Sequence, residues 1–204
     1  MNSLRLLALL GLSVPTLALT ACTTSSGDDD DSVSDDDDAA AVDFAISSPD
    51  FVAPYFDVPA NRDCDQALPV ANACDGPNPE IVWEGVPDGT VAFALIFDDV
   101  SFNDYEHWAI FNIPATETGL AAAISGRNLT NSPPGDAIEL SNPGGWEGYL
   151  GSCPGAVNQY RWRLWALDSE LDANLNSFGA VIAAAEDASI EMVEMCHVFD
   201  GREI

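Results

Sequence analysis

Apolar residues along this chain fall in short runs separated by turn-forming stretches, the pattern of a β-rich domain. Phe44 to Ser47 reads as a short strand ended by Ser48-Pro49. Residues 54–80, rich in Pro, Asn, Asp and Cys, predict irregular connections, and Ile81 to Trp83 predicts a second short strand. The turn Val86-Pro87-Asp88-Gly89 leads into Val91 to Phe97, a continuous apolar run of the buried-strand kind. His107 to Ile113 predicts the next strand, stopped by Pro114. Between 125 and 148, Gly126, Pro133, Pro134, Gly135, Pro143, Gly144, Gly145 and Gly148 predict a long loop and a candidate pocket wall. Tyr160 to Leu167 alternates, with Trp162, Leu164 and Ala166 on one face and Arg161, Arg163 and Trp165 on the other. Residues 178–196 are Ala-rich, with Val181, Ala184, Ala188, Met192 and Met195 at helical spacing. The expected class is therefore mainly β: a Greek-key β-sandwich or compact sheet with a C-terminal α-helix.

The pattern differs at the N-terminus. Arg5 precedes an apolar stretch, Leu6 to Leu19, that is too short for a comfortable membrane span and reads as an export signal over residues 1–21. It closes on Leu19-Thr20-Ala21-Cys22, which resembles the bacterial lipobox. That resemblance implies cleavage before Cys22, acylation of its thiol and amine, and a lipid anchor; more than one acyl chain makes such anchoring stable. Thr23 in place of Asp implies an outer-membrane address, periplasmic or surface-facing. Residues 22–42 then predict a disordered tether, because Asp28 to Asp31 and Asp35 to Asp38 repel one another and offer nothing to a core. The run lacks the alternating acids and fixed glycine of a calcium loop. The rest, residues 43–204, has the size of one domain.

The formal net charge is -28, and the chain contains no lysine. Nucleic acid is thereby disfavoured as a partner, since its binding rests on Lys and Arg neutralising phosphates. Adhesion to an anionic lipid surface is disfavoured for the same reason, which leaves the N-terminal lipid as the expected membrane contact. A small anion is not excluded, because screening confines surface repulsion to about 8 Å at physiological salt. Cys64, Cys74, Cys153 and Cys196 remain beyond Cys22, and an even count in an exported domain suggests two disulfides. Of three possible pairings, Cys64–Cys74 is favoured because its loop is short and polar. Cys153–Cys196 would then tie the Gly-Ser-Cys-Pro-Gly loop to the C-terminal segment.

Candidate chemistry collects between residues 93 and 168. Asp98 ends an apolar strand, where a carboxylate needs donors. His107 begins the next strand, and beside a carboxylate its tautomer is fixed and its charged form favoured. Gly151, Ser152, Cys153 and Pro154 form a loop in which glycine permits close backbone approach and N–H groups could cradle an anion. Trp108, Tyr149 and Tyr160 could supply flat walls with polar tips. The plainer alternative is that His107 is a satisfied core histidine. His197, at the end of the predicted helix, is expected to meet the helix terminus. A Cys153–His107 thiol–imidazole pair would make an enzyme, whereas a disulfide at Cys153 would remove the nucleophile. There is no G-x-S-x-G elbow and no zinc motif, and neither metal nor cofactor is implied.

Five blocks in order resemble the phosphatidylethanolamine-binding protein family, in its bacterial Raf kinase inhibitor-like branch. Pro79 to Pro87 (PEIVWEGVP) resembles the family's Ser-Pro-x-Leu-x-Trp-x-x-x-Pro entry segment, with Asn78 for the serine. FDDV lies at the Asp-Pro-Asp-Ala-Pro run, with Asp98 matched to the ligand-facing aspartate and the prolines missing. EHWAIFNIP matches His-Trp-x-x-x-Asn-Ile-Pro, which gives His107 the pocket-histidine role. GYLGSCPG resembles Gly-Tyr-x-Gly-Pro-Cys-Pro-Pro, with Ser152 and Gly155 for prolines. NQYRWRLWALD resembles the last strand of the site, with Asn158 where the family usually has a second histidine. The resemblance implies a shallow pocket for a phosphate-bearing head group or small anion. Asn158 implies weaker attraction for dianions, because charge-assisted hydrogen bonds are about twice as strong as neutral ones. The missing prolines imply looser pocket loops. The expected function is a non-catalytic, envelope-anchored binding module for a small anionic or polar ligand. The alternative is a protein-interaction or inhibitor module acting on a periplasmic or surface partner such as a protease.

Overall fold

The computed structural model describes residues 41–204; the predicted leader, Cys22 and the Asp-rich run lie outside the described residues. Eight strands form two antiparallel sheets. β1 (Ala45–Ser47), β2 (Ile81–Glu84) and β5 (Gly119–Leu120) make a three-stranded sheet in the order β1-β2-β5. β3 (Ala92–Asp99), β4 (Tyr105–Pro114), β6 (Ile138–Glu139), β7 (Val157–Leu167) and β8 (Ser189–Asp200) make a five-stranded sheet in the order β6-β4-β3-β7-β8. The helix α1 (Phe178–Asp187) lies between β7 and β8 in sequence.

Strand periodicity separates two cores. On one face of β3, Phe93, Leu95 and Phe97 pack with Phe44, Ile46, Ile81, Trp83 and Leu120 of the small sheet and with Trp108, Trp162 and Leu164. On the other face, Ala92, Ala94 and Ile96 join Phe111, Trp165 and Leu167 against Phe178, Val181 and Ala185 of α1. Every residue of β3 is buried, which is why the sequence shows a continuous apolar run instead of an alternation. Ser177 caps α1 by accepting from the Ala180 N–H.

β4 is irregular at two points that matter. Its register against β3 passes from Phe97↔Trp108 to Asp98↔Glu106 and skips His107; farther on it skips Asn112. Each skipped residue is a bulge, which bends the strand and re-aims a side chain. Asn112 has φ 55°, and its side chain closes two hydrogen bonds with the Leu171 backbone, so this bulge anchors the segment leading to α1.

Two expectations need correction. The predicted helix over 178–196 ends at Asp187, and residues 189–200 form the longest strand of the fold. β7 offers its outer backbone edge over eleven residues, and the ladder with β8 satisfies those groups, outweighing local helical spacing. Met192 therefore pairs opposite Trp165 and has no place on a helix face. The disulfides also differ: they join Cys64 to Cys196 and Cys74 to Cys153. Residues 64–68 lie along β8, where Ala67 bridges Val198 and the Val198 N–H donates to the Gln66 carbonyl at 2.8 Å. Cys74 is laid against the 151–153 loop by Cys74 N–H to Ser152 O and Gly151 N–H to Cys74 O, each 3.0 Å. Long-range backbone pairing thus overrides the short loop.

Non-reducing peptide mapping is expected to yield the cross-links Cys64–Cys196 and Cys74–Cys153; a Cys64–Cys74 peptide would contradict this fold. Replacing both Cys64 and Cys196 by Ser is expected to lower stability by about 2–5 kcal/mol, read from denaturant unfolding.

Candidate functional site

The last two residues of β3 point to opposite faces of the sheet. Asp98 shares the α1-side face with Ala94 and Ile96, and there it meets Arg161 and Arg163 of β7. Arg161 binds it in bidentate fashion, through Nε at 3.1 Å and Nη2 at 2.8 Å, and Arg163 Nη2 donates at 2.6 Å. Asp98 is 1% exposed, so this carboxylate is a structural ion-pair centre, not the ligand-facing acid expected of it. Asp99 takes that place. Its Oδ1 accepts from the Ser101 and Phe102 N–H groups and caps a short 3-10 turn, and its Oδ2 accepts from Asn158 Nδ2 at 2.7 Å.

His107 reaches the same place through the β4 bulge. Its Nδ1 lies 2.9 Å from the Leu150 carbonyl; a carbonyl only accepts, so Nδ1 carries the proton. Burial pushes the imidazole below the ordinary histidine range. The Leu150 hydrogen bond and the charges of Asp99 and Asp98 oppose that shift without overcoming it. The ring is therefore neutral at pH 7, with Nε2 a lone-pair acceptor, which corrects the expectation that a carboxylate would keep it charged.

A buried hydrogen-bonded chain runs from Trp162 to Ser152. Trp162 Nε1 donates to His197 Nδ1 at 2.9 Å, so His197 Nε2 bears the hydrogen and donates to Ser152 Oγ at 3.0 Å. Tyr160, buried and stacked on His197 with 4.9 Å between centroids, stands between this pair and the cavity. Full burial drives His197 well below the ordinary range, and burial with the nearby Asp99 charge drives the Tyr160 phenol well up. Both groups stay neutral. His197 is thus part of the floor beneath the site; it does not cap a helix.

Around Asp99, His107, Asn158 and Tyr160 lies a solvent-reached cavity of about 390 Å³. Phe102 and Tyr105 form one rim, and Leu150, Gly151, Cys153, Pro154 and Gly155 form the other. Of the predicted site residues, His107, Gly151, Cys153, Pro154, Asn158 and Tyr160 line it. Trp108, Tyr149 and Ser152 are buried away from it. Trp108 donates to the buried Glu139 carboxylate at 2.6 Å, and the Tyr149 hydroxyl donates to the Asn72 carbonyl. Loop 125–148, a candidate wall, contributes no lining residue; it supplies Glu139 instead. Gly151 is needed for chain packing, since a Cβ there would come within 2.6 Å of the Asn72 carbonyl oxygen. The Leu150 and Gly151 N–H groups donate to His107 O and Cys74 O, so they form no anion cradle. Cys153 sulfur is committed to Cys74. Asp99, Phe102, Tyr105, Leu150 and Gly155 escaped the sequence reading. Asp99 could have been chosen by counting in twos from Phe97, which shares its face.

Comparisons with known proteins agree on one family. The family model described as phosphatidylethanolamine-binding protein matches residues 61–198. The Escherichia coli protein YbcL is 34% identical over 62% of this chain and 74% of its own length. A Methanothermobacter thermautotrophicus UPF0098 protein is 38% identical over 52% of this chain and 71% of its own. Mycobacterium tuberculosis LppC, which carries the name of a lipoprotein, is 30% identical over 66% of each chain. The crystal structure of E. coli YbcL, described as a member of the mammalian PEBP family, superposes with a TM-score of 0.65 at 25% identity, covering 78% of this chain and 99% of that one.

Two measurements check this site. The chain has two histidines. Long-range proton–nitrogen spectra are expected to show His107 as the Nδ1–H tautomer and His197 as the Nε2–H tautomer. Both midpoints are expected below pH 6.5, that of His197 below that of His107. Because both folded values lie below the unfolded one, their contribution to stability is complete above about pH 6.5 and is lost as pH falls through the depressed values. Asp98→Ala leaves two half-buried guanidinium groups without their partner. It is expected to cost about 3 kcal/mol, the low end for a broken buried pair because both arginines keep some solvent, while leaving the His107 tautomer unchanged.

Proposed function

Because the chain belongs to the phosphatidylethanolamine-binding protein family, we propose that its domain is a non-catalytic binding module that seats a small polar ligand beside Asp99, His107 and Asn158. The observation that carries the proposal is the cavity itself. It is open to solvent, floored by polar side chains that hydrogen bonds hold in place and flanked by the aromatic rim of Phe102 and Tyr105. A phosphate-bearing head group is the ligand type suggested by the family's description. The lining favours the polar part of that expectation over the dianionic part, since no arginine lines the cavity and Asn158 adds no charge. A non-catalytic role is supported by the Cys74–Cys153 disulfide, which occupies the one sulfur nucleophile at the cavity. An envelope tether at Cys22, outer-membrane by its Thr23, is supported by the lipobox resemblance and by the lipoprotein name of the M. tuberculosis relative. The absence of lysine and the formal charge of -28 argue against nucleic acid as the partner.

The test is a proton–nitrogen NMR titration of the full chain with a panel of small alcohols, amides, amines, carboxylates and phosphate esters. At least one class is expected to perturb the amides of Phe102, Gly151, Gly155 and Asn158 before any others. A panel that leaves all four unmoved on a folded chain would remove the binding-module reading.

A further inference from the structure

One long strand edge of the fold is left open, and we infer that it docks an extended, Lys- or Arg-bearing segment of another protein as an added strand. Of the strands that end the two sheets, β1, β5 and β6 have three, two and two residues, whereas β8 has twelve. A short edge offers a partner few backbone groups; a long one offers a row of them. Along an antiparallel strand those groups point alternately toward the neighbour and away from it. Val198 points away from β7: its N–H donates to the Gln66 carbonyl, and its carbonyl accepts from the Leu68 N–H. The register is regular from Val198 back to Glu191, so counting in twos turns Glu194 and Met192 outward as well. Among the described residues, no hydrogen bond reaches the outward N–H and C=O groups of these two. The cavity beside His107 is lined by no residue of β8, so the inference is independent of the pocket reading.

The covered end of β8 shows what the open end accepts. Residues 64–68 already lie along it as an extended segment, joined by the Ala67–Val198 bridge and closed off by the Cys64–Cys196 disulfide. Past that disulfide, Ile190 and Met192 are 40% and 41% exposed, and Glu191 and Glu194 are exposed with them. The ladder fixes their faces: Met192 and Glu194 lie beside Trp165 and Arg163, and Glu191 and Val193 lie beside Ala166 and Leu164. An added strand therefore needs apolar side chains opposite Met192 and Val193 and cations opposite Glu191 and Glu194. A groove continues the edge past Glu194, and Asp63 joins Glu194 in lining it; its arginine, Arg161, is held by Asp98 and Asp104. Charge rejects the two occupants nearest at hand. A second copy would bring the same glutamates and its own formal charge of -28, and the Asp-rich run of this chain carries the same sign.

The test follows amide hydrogen exchange in the full chain with the peptide acetyl-Thr-Arg-Val-Val-Lys-Val-Thr-amide. Laid antiparallel, it sets its arginine opposite Glu194, its second valine opposite Met192 and its lysine opposite Glu191. In the free chain the Met192 and Glu194 amides are expected to exchange faster than those of Val193 and Met195, which β7 protects. Saturating peptide is expected to slow Met192 and Glu194 about tenfold or more. A peptide with glutamate for both cations is expected to bind about tenfold more weakly or worse. N-methylation of the amides of the arginine and the second valine is expected to abolish the protection. Glu191→Lys, on an exposed side chain, is expected to weaken the basic peptide and to favour a peptide with glutamate in place of lysine. Unchanged exchange at Met192 and Glu194 overturns the inference, as does equal protection by the acidic or the N-methylated peptide. Protection that grows with protein concentration and no peptide also overturns it, by making a second copy the occupant.

Discussion

Two carboxylates leave the end of β3 in opposite directions, and the strand's two-residue period decides the fate of each. Asp98 is turned toward α1 and absorbs two guanidinium groups, so its charge is consumed in holding β3 to β7. Asp99 is turned toward the small-sheet side and receives hydrogen bonds from two backbone amides and an amide side chain. Its charge is solvated by the protein but not cancelled by a cation. A slip of one residue in β3 would exchange these roles and would turn Phe93, Leu95 and Phe97 away from the small sheet.

This constraint links the fold to the site. Phe97 stacks on Trp162 at 4.1 Å, and the same indole begins the hydrogen-bonded path through His197 to Ser152 beneath the cavity. Ser152 ends that path, so a loop position that resembles a proline site elsewhere in the family contributes a hydroxyl here. His107 depends on a different irregularity, the bulge in β4, which brings its Nδ1 to the Leu150 carbonyl. The cavity is therefore made by two strand ends and one loop, and the Cys74–Cys153 bridge pins the loop.

Much of this was legible in the sequence, for physical reasons that can be named. The strands at Ile81, Val91, His107 and Tyr160 announce themselves through apolar runs between turn residues, and β7 shows its two faces because Arg161 and Arg163 alternate with Trp162 and Leu164. His107, Asn158 and the 151–154 loop were found through ordered motifs. Asp99 was missed because β3 is apolar on both faces, which hides the alternation that separates it from Asp98. β8 was misread because alanines and methionines at helical spacing carry a local preference that the unpaired edge of β7 overrides. The disulfides were misassigned because cysteine spacing says nothing about which backbones run side by side.

The aromatic floor has a mechanical corollary. Phe97, Tyr160, Trp162 and His197 belong to the tightest packing in the domain, so their positions are inherited from global folding and cannot yield to a visitor without loosening the whole sandwich. The rim is built differently. Phe102 is 65% exposed and is followed by Asn103 and Asp104, both in left-handed backbone conformation, before β4 begins. The hollow thus joins a close-packed base to a solvent-exposed lip, held at its root by the Asp99 cap on the Ser101 and Phe102 N–H groups.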